Sequence, residues 1–263
     1  MSVKKIPIGL ELYSVRKTLA KDLEGTLEKV RGFGYDAVEF AGAPQYEAAR
    51  VAKALADTGL YCSSAHVSYN SLLGSEESFN TTVEYNSVIG NKYLVISSMP
   101  HNMLETSDAL KQTAEKMNAL VEKLSKYGMF TGYHNHNFEF TEVPGTGKTI
   151  WSFLRENTAE NFLMQIDTGN ALKGGADLNS EISKAAGRSQ IVHIKPYSYK
   201  NEFATMIGDP DDANDYEFIM KFCKEKGGTF IYIIEYECET LYTDMKGVEL
   251  CISALKNKFG HLL

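Results

Sequence analysis

The chain has no Cys-x-x-Cys pair, no run of basic residues and no long apolar stretch, and each absence narrows what it can be. Its four cysteines (Cys62, Cys223, Cys238 and Cys251) stand far apart, which suits a reducing cytoplasm where a free thiol behaves as a small hydrophobe. Net charge is −7, so a nucleic-acid backbone is not an expected partner. No apolar run approaches the ~18 residues of a membrane span, and no membrane partner is expected. The opening "MSVKKIPIGLEL" has two lysines but lacks the apolar block and small-residue cleavage site of a signal peptide. No Gly-x-Gly-x-x-Gly follows the first strand-like run, and neither linker nor short-period repeat interrupts the chain.

What is present is alternation. Short β-rich runs at 6–13, 37–40, 61–67, 92–97, 129–135, 162–167, 190–195 and 229–235 are separated by amphipathic ones. In "DLEGTLEKVRGFG", Leu23, Leu27 and Val30 recur at helical spacing before Gly34. The run from Ser107, a candidate N-cap, to Gly128 reads the same way, and further helices are predicted near 47–58, 76–89, 149–156, 177–186, 214–226 and 244–258. Eight strands alternating with eight helices imply parallel strands and helical crossovers. At 263 residues with 43% apolar content, this predicts one α/β domain over 1–263, a (β/α)8 TIM barrel, with a doubly wound open sheet as the alternative. The long connections 97–107, 136–149 and 196–213 all follow strands, which puts them on the face where such barrels build active sites.

Chemistry-bearing residues collect at those strand ends. His134 and His136 share a face of the fifth strand, and Leu163, Gln165 and Asp167 share one on the sixth. His193 and Lys195 share one on the seventh, and Glu235 ends the eighth. An Asp, a Glu and two His reaching one point from neighbouring strands suit a divalent ion such as Mn²⁺, Co²⁺, Fe²⁺, Zn²⁺ or Mg²⁺. Each residue also has an ordinary role: a hydrogen-bonded second-layer histidine, a helix cap for Asp167, or a buried ion pair between Glu235 and Lys195. Two other stretches are decoys. "PGTGKT" (144–149) has Glu142 where a phosphate-binding loop needs glycine, and the acidic "GDPDDAND" (208–215) has Pro210 and lacks the final glutamate of a calcium loop.

The segments "LELYSVRKTLAKD", "GYDAVEFAG", "GYHNHNFEF", "QIDTGNA", "HIKPY" and "IIEYE" together resemble the sugar phosphate isomerase/epimerase family of xylose isomerase-like barrels, in order over nearly the whole chain. The resemblance implies one divalent metal held at the ends of strands five to eight, by Glu, Asp, His and Glu in the sugar epimerases. Asp167, His193 and Glu235 match; His134 stands where those relatives have glutamate, a change shared by a branch with "HNH..EF". Asn170 stands where many have a second histidine. The multi-metal endonuclease branch, which needs extra histidines and a DNA-binding surface, fits poorly.

The expected ligands are therefore His134, Asp167, His193 and Glu235, and the expected substrate a small, unphosphorylated keto-sugar or polyol handled through an enediolate. Glu235 is the expected base, Glu139 or His136 the second proton carrier, and Lys195 an oxyanion stabiliser. Glu39 and His66 are candidates to bind substrate hydroxyls or to orient ligands, and Glu11, Tyr13, Trp151 and Tyr197 are weaker candidates for the sugar pocket. The rival chemistries are β-elimination by a dehydratase or lyase, on a keto-cyclitol or 3-keto-glycoside, and a non-catalytic sugar-binding barrel. Whether copies associate as a homo-oligomer is left open.

Overall fold

The computed structural model describes residues 5–42 and 45–263; the first four residues of the N-terminal stretch read above lie outside it. Every predicted strand is present: β1 (Ile8–Glu11), β2 (Ala37–Ala41), β3 (Tyr61–Ser68), β4 (Tyr93–Ser98), β5 (Phe130–His134), β6 (Leu163–Gln165), β7 (Ile191–Ile194) and β8 (Ile231–Ile234). All pair in parallel in the spatial order β6-β5-β4-β3-β2-β1-β8-β7. The gap between β6 and β7 is bridged at Asp167 and His193, where the His193 amide donates to the Ile166 carbonyl at 2.9 Å. The sheet is thus a nearly closed barrel, as the alternation predicted and not the open alternative.

The crossovers are α1 (Leu23–Phe33), α2 (Ala48–Thr58), α3 (Glu76–Val88), α4 (Ser107–Ser125), α5 (Ile150–Asn157), α6 (Leu178–Lys184), α7 (Tyr216–Phe222) and α8 (Asp244–Phe259). In α1 the Asp22 carboxylate accepts from the Gly25 amide, and Gly34 ends the helix in the left-handed region at φ 96°. Helix α4 is capped one residue earlier than expected, by the Thr106 hydroxyl, which accepts from the Ala109 amide. The first strand is shorter than predicted, because Leu12–Val15 turn into a 3₁₀ helix that carries Tyr13 to the rim.

Outward-facing Leu10, Val38, Val192, Ile194, Tyr232 and Ile234 pack beneath the helices in the main core. Inside the barrel a second cluster, Ala37, Leu163, Ile191, Ile231 and Ile233, plugs the floor. These residues share strand faces with Glu39, Gln165, His193 and Glu235 at period two, so each strand is apolar at its start and polar at its end. Gly132 lets β5 approach β6: a Cβ there would lie 2.4 Å from the Leu163 Cβ. No helix of the described residues is long and apolar enough to cross a membrane. All four cysteines are buried and free.

Candidate metal centre

Strands five to eight bring His134, Asp167, His193 and Glu235 together, with one ligand-capable atom of each within 4.8 Å of the others. All four are buried at the C-terminal end of the barrel. His193 Nδ1 lies 2.8 Å from Glu235 Oε2 and 3.9 Å from Asp167 Oδ2. Asp167 divides its oxygens. Oδ1 accepts from the Asn170 amide at 2.7 Å and caps the short helix Thr168–Lys173, whereas Oδ2 is buried with no partner. The helix-cap reading of this residue therefore holds for one oxygen, and the other is left unpaired. An unpartnered carboxylate oxygen costs free energy in a protein interior unless something positive meets it. Its company of two imidazoles and a second carboxylate is the donor set a divalent transition metal takes.

Lys195 stands at the edge of this set. Its ammonium lies 3.0 Å from Glu235 Oε1, pairs with Glu237, and stands 4.0 Å from Asp167 Oδ2, with the Phe203 ring beneath it at 4.6 Å. Glu235 thus turns one oxygen to Lys195 and the other to His193. Four buried carboxyls, Glu11, Glu39, Asp167 and Glu235, crowd this end of the barrel against the single ammonium of Lys195. The strain shows in their acidities. Burial pushes Asp167 up to about 7, with Lys195 pulling the other way. Burial also opposes the Glu235 charge, but Lys195 and His193 hold its pKa well below the usual range. For His193 burial disfavours the cation, yet Glu39 and Glu235 outweigh it and raise the ring to about 10. His134, desolvated beside other imidazoles, is held well below the ordinary value.

Beneath the four lies a layer that braces them. Glu39 Oε1 faces His193 Nε2 at 2.6 Å and His66 Nε2 at 2.9 Å. Its Oε2 accepts from the Ser64 hydroxyl and from the Gln165 amide at 2.8 Å. Glu39 and His66 therefore brace ligands from below, and His66 also lines the mouth. A second donor set, Glu11, Glu39, His66 and His193, overlaps the first, but the Glu39 oxygens and His66 Nε2 are already engaged.

Above the metal set opens a cavity of about 370 Å³ lined by Glu11, Tyr13, His66, Ser97, Ser98, His134, His136 and Glu235. Tyr13 is half exposed there, and the His136 ring stands edge-on to His134 at 5.3 Å. Four expected participants do not line the cavity. Glu139 is buried with one oxygen on the Tyr133 hydroxyl (2.6 Å) and the other on the His136 amide (2.8 Å). A 3₁₀ turn at Phe138–Phe140 swings it behind β5 instead of over the mouth, and burial lifts its pKa to about 7. Trp151 is fully buried in α5 against Phe140, a core residue. Tyr197 packs on Tyr199 and Phe203 beside the loop after β7 and does not line the cavity. Nor does Lys195, whose ammonium is committed to carboxylates.

Four further residues shape the site. Glu11 is 1% exposed on the cavity floor with Oε2 unpartnered, and burial raises its pKa. Asn135 clamps β5 to β6 by accepting from the Asp167 amide at 2.8 Å. Gln165 shares a strand face with Asp167, and that periodicity was the available signal. Asn170 turns its amide to the Asn135 carbonyl and its oxygen toward Lys195. The decoys resolve too: residues 144–147 are the turn of a hairpin between Glu142–Val143 and Lys148–Thr149. In the acidic loop, Asp211 and Asp212 spend their oxygens on Ser198, Asn201, Thr205, Asn214 and Tyr216.

The model of the xylose isomerase-like TIM barrel family matches residues 27–257. Among solved structures, a sugar phosphate isomerase/epimerase from Parabacteroides distasonis ATCC 8503 is similar at 25% identity and a TM-score of 0.80, over 97% of this chain and 96% of that one. The probable 3-DHS dehydratase AsbF, involved in petrobactin synthesis, from Bacillus anthracis shares the fold at 12% identity and a TM-score of 0.71, over 96% and 100%. So does the IOLI protein with a binding zinc atom, at 13% and 0.71, over 98% and 99%. The search of curated proteins gives no match.

Proposed function

This chain belongs to the xylose isomerase-like TIM barrel family, and on that premise we propose that it is a metal-dependent isomerase or epimerase that moves a proton between adjacent carbons of a small keto-sugar or polyol. The observation that carries the reading is the unpartnered Asp167 Oδ2 among His134, His193 and Glu235. These four would hold the ion, which when bound supplies Lewis acidity to an adjacent carbonyl and hydroxyl, so that the α-proton becomes removable.

The chain's own groups do the rest. Glu235 reaches the cavity and stays ionised beside Lys195, so it can accept a proton from a sugar lying above it. Lys195 positions Glu235 by holding its other oxygen. Two candidates for the second proton carrier are expected from the sequence, Glu139 and His136. Only His136 borders the cavity, and it is the proton carrier assigned here. Tyr13, His66, Ser97 and Ser98 supply hydroxyl and imidazole partners for sugar hydroxyls.

A second reading, β-elimination by a dehydratase or lyase, is favoured by one feature: the strand-five glutamate of the epimerases is His134 here, and His136 beside it can protonate a leaving group. Incubation of keto-sugars and 3-keto-glycosides in D₂O separates the two. The proposal expects deuterium at a carbon α to the carbonyl in a product of otherwise unchanged composition. Loss of water or an aglycone would replace it with elimination, and tight binding without exchange would leave a sugar-binding barrel.

A further inference from the structure

The layer under the metal set decides which nitrogen each histidine presents. Glu39 Oε2 is a carboxylate oxygen, an acceptor, so the Gln165 atom facing it at 2.8 Å is the amide nitrogen. The orientation of the Gln165 amide follows, and its Oε1 points at His134 Nδ1 (2.9 Å) and His66 Nε2 (2.7 Å). A carbonyl oxygen only accepts, so both ring nitrogens carry hydrogen. For His66 the second contact, to Glu39 Oε1, agrees.

From this we infer that Gln165 is the positioning residue for His134: it holds the proton on Nδ1 and leaves the Nε2 lone pair as the one the ion can take. His193 is set the opposite way. Its Nε2–H is held by Glu39 beneath the site, while its Nδ1 faces Glu235 and Asp167 on the metal side, so Nδ1 is the nitrogen the ion would take in exchange for its hydrogen. The two histidines thus present different nitrogens, fixed by one carboxylate–amide pair in which Glu39 and Gln165 are both fully buried. A glutamate at the end of strand five has no tautomer to fix, whereas a histidine there does. Gln165 is the partner the His134 substitution needs. The inference rests on the proposed metal site but not on which sugar reaction it serves.

Long-range ¹H–¹⁵N NMR of zinc-loaded protein reads the ring directly. The expected result is a protonated Nδ1 and a zinc-bound Nε2 on His134, with the reverse on His193. Gln165→Met, similar in volume but unable to accept, should weaken zinc binding in chelator competition by roughly 10- to 100-fold, the usual cost of losing an outer partner. The double variant Glu39→Gln, Gln165→Glu, which swaps amide and carboxylate, should regain most of it. Zinc on Nδ1 of His134, or Gln165→Met binding zinc as tightly as wild type, overturns the inference, and the wild-type spectrum decides even if the variants fold poorly. If zinc is not bound at all, the metal site itself fails. The metal-free spectrum then tests Gln165 alone: hydrogen on His134 Nδ1 supports it and hydrogen on Nε2 refutes it.

Discussion

Asp167 does two jobs with two oxygens, and substitution can separate them. Asparagine caps helices as well as aspartate, so Asp167→Asn should leave the metal-free protein within about 0.5 kcal/mol of wild type, whereas Asp167→Ala should lose about 1 kcal/mol more. Both should lose metal binding, the alanine variant no worse than the asparagine one; an asparagine variant that still binds metal would remove Oδ2 from the ligand set. Glu139 carries a different signature. Its pKa is raised in the folded protein, so the stability it contributes is full below the ordinary carboxylate value and is lost as pH climbs to about 7. Urea unfolding of wild type against Glu139→Gln should therefore show their difference shift by on the order of 3 kcal/mol between pH 4.5 and 7.5, against wild type at the higher pH. A flat difference would mean the carboxyl is not desolvated in solution. Asp167, His193 and Glu235 were legible because period two fixes where a strand's side chains point. Glu139 was not, because five residues beyond β5 the direction depends on a 3₁₀ turn that no periodicity announces.

Elements place the ligands, so damage to their packing should reach the site. Gly132→Ala would set a Cβ 2.4 Å from the Leu163 Cβ and 2.5 Å from its carbonyl oxygen, forcing β5 from β6. We expect a loss of roughly 1–3 kcal/mol in thermal unfolding together with weaker metal binding, since His134 and Asp167 ride on those strands. Asp22→Ala is the contrast: it removes an exposed cap on α1 that contacts none of the four expected ligands, and should cost about 1 kcal/mol while metal affinity stays at the wild-type value. Equal loss of affinity in both would mean that affinity follows global stability and not strand register. The strands were readable because apolar runs bounded by turns repeat eight times. The hairpin in 142–149 was not, because two-residue strands leave no run to count, and its glycines looked like part of an anion loop.

At the scale of the whole molecule, a floor of Ala37, Leu163, Ile191, Ile231 and Ile233 supports a mouth crowded with carboxylates. On the proposed reading, a bound cation would offset the repulsion among those carboxylates. Metal at 100 times its dissociation constant should add about 2.7 kcal/mol, or roughly 5–10 °C in Tm for a chain of this size. Barrel and mouth could be inferred from alternation, but the bracing layer could not. It joins Glu39, Ser64, His66, Gln165 and His193 across four strands, and only closure brings those together. The central claim is that four strand-end side chains hold one ion on which turnover depends. Protein stripped with chelator and dialysed against manganese should carry one ion per chain by elemental analysis and recover proton exchange on its sugar in step with loading. Protein that exchanges that proton equally well with no metal bound would contradict the account.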